Sequence, residues 1–520
     1  MASINLKSRK SLAIILAIVA ATIGVVSKLA LTSGELLPGI DGAYYWVQVR
    51  SILDDFTLAF DDLPLVFWAQ SLLALLVGDI PLGVRISDAL LPAISAIPIY
   101  LMLKNSKSVW LPAVAILTTL LHPIQLYFFT GDFLKNSAAI PFVFFIGWIL
   151  YNWENAPKRR SVVYLLLCLA VLALAHFGTL LMGLLIVFVW LLVHLRNKPL
   201  RFWINSVVIT IASAAAVLAG LAILVPARFE RLIEFVSQPE TVIANPAWQM
   251  MFGGRTDYPM IFAMFTGQLG ALALAFWAWK IRKNLDDSQL SLVVSSLVAA
   301  FLLSSPLIGM EWANRLIAMS FVPLFIAAMI VWMASEKLAA KITIGALAIV
   351  TLVGSLVFAM LGVKQPIITD AEYQDLLKVS DEFVFPENSV VVARHGIEFL
   401  VAWEMNTHVL QETSYADEDL SSYDSVYYLE GLNVMGAPGG APTGVGGAPS
   451  DMGAMKPPSG GMKPPSGVGG QPLIGGAPGD KPEMGDATGG QPQMGGDMKK
   501  VEIDGEEVYS NDSFTIKKVR

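Results

Sequence analysis

Four short stretches of this sequence concentrate the residue types that do chemistry. Asp41 stands in LPGIDGAYYWVQVR (37–50), at a Gly-bounded turn followed by three aromatics. Asp61 and Asp62 sit side by side in FDDLPLVFW (60–68), ahead of a Pro-bounded apolar run. Asp132 and Lys135 share TGDFLKN (130–136), and Arg315 closes EWANR (311–315). Carboxylates gathered from separate loops can hold one divalent ion through oxygen. Asp41, Asp132 and either Asp61 or Asp62 would suit Mg2+ or Mn2+ better than zinc. Singly, each residue has a plainer role. Asp41 is a good N-cap whose carboxylate can accept backbone N–H bonds, and a base at the end of a membrane span can reach the headgroups.

Hydropathy sets the elements that carry these residues. The chain has 520 residues, of which 55% are hydrophobic and 15% charged, against roughly 25% charged in soluble proteins. Apolar runs of bilayer length, about 20 residues, recur from residue 11 to residue 362. We read eleven spans: 11–32, 82–103, 109–128, 137–153, 161–176, 178–195, 203–225, 260–280, 290–306, 315–334 and 341–362. The fifth and sixth are divided only by His176-Phe177-Gly178. The first follows a basic start but has no small-x-small cleavage site, so it reads as a retained helix rather than a signal peptide.

Loop charges give an orientation. With the N-terminus cytoplasmic, each inside loop is basic, for example Lys158, Arg159 and Arg160, or Lys280, Arg282 and Lys283. The outside loops carry Asp41, Asp61, Asp62, Asp132 and Glu311. An odd number of spans then leaves the C-terminal region extracytoplasmic, in a plasma-membrane protein with N-in topology. The net charge of −7 comes with no basic stripe, which excludes a nucleic-acid reading. The single cysteine, Cys168, falls inside a span, so disulfides and cysteine-ligated metals are excluded from the outer region.

Four regions follow: a membrane body (1–362), the first part of an extracytoplasmic α/β domain (363–433), a Gly/Pro/Met-rich insertion (434–499) and closing strands (500–520). In the α/β part, 370–383 has helical spacing, SVVVA (389–393) reads as a buried strand and 397–405 as a helix. The insertion repeats GGAP, MKPPSG and GGQP with almost no aromatic or β-branched residues. It cannot bury enough apolar area to offset its ordering entropy and reads as disordered. SVYYLE (425–430) and the strand-like 501–508 and 513–519 then belong to one sheet.

Within the helix after Asp41, Trp46, Val49 and Leu53 share a face, as do Tyr45, Val49 and Ile52, while Gln48, Arg50, Asp54 and Asp55 form a polar side. That pattern predicts a helix lying in the interface with its aromatics at headgroup level. Elsewhere, Arg85 and Asp88 are spaced as a mutual pair, His122-Pro123 marks a kink, His176 occupies a tight turn, and His395 and Trp403 read as packing residues, with contact to an acceptor as the alternative. Asn511-Asp512-Ser513 matches a glycosylation sequon.

The order of first span, Asp41 at the head of an outside helix, Asp62-Leu63-Pro64-Leu65, a span opening LGVRI (82–86), and Gly131-Asp132 after the third span resembles the GT-C class of membrane glycosyltransferases. Protein O-mannosyltransferases, lipid A aminoarabinose transferases and oligosaccharyltransferase catalytic subunits share that plan. The resemblance covers the membrane body and, more loosely, the outer domain. The oligosaccharyltransferase motif WWDYG is absent, and FLVAWE (399–404) stands in the comparable domain, which argues against asparagine-linked glycan transfer. The resemblance implies an all-α membrane body of about eleven helices with a small C-terminal α/β domain. It implies an inverting, hexosyltransferase-type transfer from a polyprenyl-phosphate-linked sugar to a protein, lipid or polymer acceptor. Asp41 would be catalytic, as general base or by orienting the acceptor, with Asp61, Asp62 and Asp132 as acidic partners. Arg315, then Lys135 and Arg50, would meet the donor phosphate, and a metal, if used, would sit on Asp41 and Asp132. The alternatives are a transporter or flippase for a lipid-linked precursor, against which stand the absence of an internal repeat and charges at the rim rather than mid-membrane, and a non-catalytic assembly protein of the same fold.

Overall fold

The computed structural model describes residues 6–131, 133–199, 243–251, 258–415, 420–432 and 503–520, with isolated positions between 201 and 233. The chain enters the bundle as α1 (Leu6–Leu31). It leaves for a loop holding α2 (Gly42–Asp55) and α3 (Leu65–Val77), and returns as α4 (Ile80–Ala93) and α5 (Ala96–Leu103). Next come α6 (Leu111–Leu120), α7 (Pro123–Thr130), α8 (Leu134–Tyr151), α9 (Lys158–Ala175) and α10 (Phe177–His194). The later membrane helices are α11 (Tyr258–Ile281), α12 (Asp287–Leu303), the short α13 (Met310–Leu316), α14 (Phe321–Ala334) and α15 (Leu338–Leu361).

Among the described residues, eight helical stretches are long and apolar enough to cross a membrane. The expected spans 161–176 and 290–306 are present as helices. However, α9 opens on three bases and α12 has only 17 residues. The expected span 203–225 lies outside the described residues. The bundle sorts its helices by neighbour: only 17% of the apolar window of α15 is buried, which puts it at the periphery, while 83% of the span ending in α14 is buried, at the centre. Breaks fall where the backbone demands them. Pro123 opens α7 without an N–H, and the His122 ring nitrogen accepts from Ile124 N at 3.2 Å. The extended His176 ends α9 and caps α10 by accepting from Thr179 N.

Beyond α15 the chain builds a five-stranded sheet over α16 (Asp370–Glu382) and α17 (Ile397–Met405). Its strands are β1 (Ser389–Ala393), β2 (His408–Gln411), β3 (Ser425–Gly431), β4 (Glu506–Ser510) and β5 (Phe514–Lys518), in the order β2-β1-β3-β5-β4. β1 is parallel to β2 and β3, and all five of its residues are buried, as a central strand covered on both faces requires. β5 is antiparallel to β3 and β4, with Leu429 opposite Ile516. Residues 434–499, read above as a disordered insertion, lie outside the described residues. Asn511 and Ser513 of the sequon bond into the β4–β5 turn and to Asp375.

α2 is the joint between these parts, and here the sequence reading needs correction. Tyr45 and Trp46 are each 2% exposed, within a core shared with Phe67 of α3 and Leu400 of α17. Trp46 stacks obliquely on Trp403 at 5.6 Å. Tyr44 on Phe399 and Trp46 on Trp403 join the loop helix to the C-terminal domain, while Tyr45 packs on Tyr44 and Phe67 within the loop, so these rings are spent on protein contacts. The exposed pair is instead Phe56 and Trp68, with ring centroids 6.3 Å apart. Gln48, expected on a polar face, is fully buried: its amide bonds Phe60 O at 2.9 Å and Phe60 N at 3.1 Å, pinning the turn that carries Asp61 and Asp62. Arg85 and Asp88 are not a pair either. Arg85 donates to Gly34 O, whereas Asp88 accepts from Gln70 at 2.8 Å in the field of Lys28.

Arg50 closes the joint. Its guanidinium donates to Ala402 O at 2.6 Å and Trp403 O at 2.7 Å, and lies 4.9 Å from the centre of the Trp403 ring. It thus satisfies orphan carbonyls at the C-terminal end of α17 and suits that end of the helix dipole. Arg50→Ala removes both charge-assisted bonds, a local loss of about 2–4 kcal/mol. Amide hydrogen exchange across 397–405 should accelerate in that variant, and unchanged exchange would show that Arg50 does not hold the domain.

Candidate active site

Asp41 occupies the N-cap position of α2 yet does not cap it with its side chain. The backbone carbonyl takes Tyr44 N at 3.1 Å, and the carboxylate receives no backbone N–H. Oδ1 is shut off from solvent without a hydrogen-bond donor, while the side chain as a whole stays 38% exposed. A carboxylate oxygen that has lost water and gained no donor is costly to keep charged. Burial accordingly raises the Asp41 pKa, against the opposing pull of His395, then Lys135 and Lys364.

His395 comes from the C-terminal domain, at the turn between β1 and α17. Its Nε2 lies 3.8 Å from Asp41 Oδ1, and its Nδ1 lies 2.9 Å from Glu398 Oε1. Glu398 is 3% exposed, its second oxygen is buried without a donor, and burial raises its pKa despite the His395 bond. The backbone brings these groups together. Gly39 (φ +96°) donates to Gln365 O and pairs with Pro366, tying the Asp41 turn to the strap after α15. Gly396 (φ +92°) then packs so closely on Ile40 that a Cβ there would sit 2.6 Å from Ile40 Cγ2. That conformation and that approach both require glycine.

The second half of the site belongs to the membrane body. Asp62 is 5% exposed and fully engaged: Tyr44 Oη donates to it at 2.6 Å, Leu63 N at 2.6 Å, and Lys135 Nζ forms its salt bridge. Lys135, at the start of α8, also lies 5.5 Å from the centre of the Phe67 ring. Lys364 follows α15, stands over the Tyr127 ring at 4.9 Å, and would meet a Cβ at Gly131 at 3.1 Å. Lys135 and Lys364, from distant parts of the sequence, both act electrostatically on Asp41, lowering its pKa against the effect of burial.

Of the residues singled out from sequence, Asp41, Asp62 and Lys135 share this neighbourhood. Asp61 is exposed beside it, and Arg50 is committed to the α17 carbonyls. Arg315 lies half-buried in α13, whose start is tied to the 245–246 segment by Met310 N and the Gly309–Pro246 bridge. Asp132 lies outside the described residues. Sequence reasoning missed Lys364 and Glu398 and gave His395 a packing role. Nothing local marks these three: a base after a span reads as a headgroup contact, and the His-Gly-Ile-Glu turn has the pattern of an ordinary helix start. Among the described residues no three His, Cys, Asp or Glu side chains converge as a cation site. Asp62, expected to share a metal, is neutralised by an ammonium instead. Asp132, the other residue expected to hold a metal with Asp41, lies outside the described residues.

Residues 61–226 match the family described as dolichyl-phosphate-mannose-protein mannosyltransferase. That segment holds Asp62 and Lys135, and Asp41 precedes it. The comparison with curated proteins gives no match. Among solved structures, the Archaeoglobus fulgidus oligosaccharyltransferase tethered to an acceptor peptide containing the NVT sequon has a TM-score of 0.50 at 10% identity, over 80% of this chain and 69% of that one. ArnT from Cupriavidus metallidurans in the apo state gives 0.49 at 12% identity, over 80% and 92%. The Archaeoglobus fulgidus oligosaccharyltransferase AglB, in complex with an inhibitory peptide and a dolichol-phosphate, gives 0.48 at 12%, over 79% and 69%. At 10% identity the likeness to the peptide-tethered oligosaccharyltransferase structure is one of fold alone: a multi-pass helical body carrying a small C-terminal sheet domain.

The tight approach at Gly396 yields a stability test. Gly396→Ala forces a side chain into positive φ and against Ile40, at a cost of about 1–3 kcal/mol. Hydrogen exchange at 36–46 and 389–405 should rise together in that variant, and a rise in one segment alone would show that the two are not locked.

Proposed function

We propose that the chain is a membrane glycosyltransferase that moves a sugar from a polyprenyl-phosphate carrier to an acceptor on the membrane face bearing the C-terminal domain. By the loop charges that face is extracytoplasmic, in a plasma membrane. One observation carries the reading: the Asp41 carboxylate is withheld from capping, shielded at one oxygen, and set 3.8 Å from His395 within the field of Lys135 and Lys364. The mannosyltransferase family match over 61–226 and the GT-C fold support it.

In this reading Asp41 receives the proton of the acceptor's hydroxyl as that oxygen bonds to the anomeric carbon. The carbon–oxygen bond to the carrier phosphate breaks, and the phosphate leaves with the electron pair. A single displacement inverts the anomeric centre. Lys135 and Lys364 face the leaving phosphate and offset its developing charge, in an environment where such charges act strongly. Asp62 and Tyr44 hold Lys135 in place, so the ammonium is presented rather than free to wander.

The test uses purified protein in nanodiscs, dolichyl-phosphate [3H]mannose alongside a panel of other polyprenyl-phosphate sugars, and host-envelope extract as acceptor. Wild type should release polyprenyl phosphate from at least one donor. Asp41→Asn, with unchanged hydrogen exchange, should lose about 10²–10⁴-fold in rate. Full activity in that variant, or no turnover of any donor by wild type, would overturn the reading.

A pH dependence follows with a definite sign. Asp41 must be ionised to accept a proton, and burial raises its pKa. The rate should therefore rise with pH through a midpoint above the ordinary carboxylate range near 4. A kcat/KM profile already flat at pH 5 would exclude Asp41 as the base.

A further inference from the structure

The buried Lys28–Ser137–Gln125 chain inside the bundle and the exposed Arg159–Arg160 groove at the start of α9 both read as structural. The arrangement Asp41–His395–Glu398 does not. His395 is 49% exposed at its side chain, so packing alone does not explain its position, and each of its ring nitrogens faces a different carboxylate. One carboxylate belongs to the membrane body and the other to the C-terminal domain. Without the ring between them, two partly dehydrated carboxylates would repel.

We propose that His395, clamped by Glu398, is a positioning residue for Asp41, through which the C-terminal domain aims the carboxylate of the membrane body. Glu398 fixes the ring by accepting from Nδ1–H, leaving Nε2 directed at Asp41 Oδ1. That 3.8 Å separation is longer than a hydrogen bond and acts as a charge contact. The groups that face the pair are, on the membrane side, Lys135 of α8 and Lys364 after α15, and on the domain side Glu398 itself. Lys135 is held by Asp62, and the His395 ring is the group placed directly against Asp41, with Nε2 at 3.8 Å from Oδ1. The C-terminal domain is then more than an acceptor platform. Its docking through Arg50 and Gly396 becomes a condition for a competent Asp41.

This rests on the reading of Asp41 as the base, so the experiment separates the two. In the transfer assay, His395→Ala and His395→Gln should move the acid limb of kcat/KM to higher pH by about one unit, an approximately tenfold loss at the acid end. His395→Lys, which restores a positive charge, should move it back. An acid limb that stays in place in both neutral variants, even with a lower rate, reduces His395 to a structural part. Wild-type behaviour in His395→Gln does the same.

A second readout needs no turnover. In protein labelled at its five histidines, with the His395 signals assigned from His395→Gln, Asp41→Asn should lower the pH midpoint of the His395 ring. Glu398→Gln should lower it too and weaken protection of Nδ1–H. An unmoved midpoint in Asp41→Asn overturns the coupling. Failure of every sugar donor overturns the transferase reading while leaving this coupling intact.

Discussion

The Asp41 carboxylate is the constraint around which the structure is arranged. It sits at the head of a helix whose N–H groups could have taken it, yet it makes none of those bonds. One oxygen is dry and unpaired. A charge held that way must be made tolerable from a distance, and the structure does so with an imidazole and two lysines drawn from three separate segments. Each cation is fixed by something else: His395 by Glu398, Lys135 by Asp62 and Tyr44, and Lys364 by its place over Tyr127.

The second consequence is a division of labour. The membrane body supplies the turn bearing Asp41 and the ammonium groups, and the sheet domain supplies the imidazole. α2 makes that possible because it is buried on both sides, by α3 and α4 beneath and by α17 above. Its aromatics contribute the shared core, Gln48 fixes the loop beneath it, and Arg50 seals the end of α17. Removing the domain would uncover Trp46 and Tyr44 and strip Asp41 of its His395 contact at once. Fold and site are therefore coupled through one short helix.

Arg50, Gln48 and the aromatic trio also show where local reasoning misleads. Helical periodicity identifies which residues share a face, but not whether the face meets lipid, water or protein. A stripe of Tyr and Trp at a membrane boundary suits a headgroup layer and a protein interface equally, since both offer apolar contact with a polar edge. The deciding fact is the sheet domain, more than 300 residues later in the chain, folding back onto the same helix. The pairing of Arg85 with Asp88 fails for the same reason. Spacing allowed it, but Gly34 O and Gln70 were better placed.

By itself the sequence determined the membrane body, the breaks at His122 and His176, the strands at 389–393 and 425–430, and the GT-C resemblance, because hydropathy, proline and β-branched runs act over a few residues. It also placed Asp41 at a turn heading a helix. Only the tertiary structure decided that this Asp does not cap, that Asp62 rather than Asp61 meets Lys135, and that His395, Glu398 and Lys364 gather around it. Those choices depend on which distant backbones touch. Two glycines with positive φ, Gly39 and Gly396, allow the contact, and no pattern within either segment reveals that they meet.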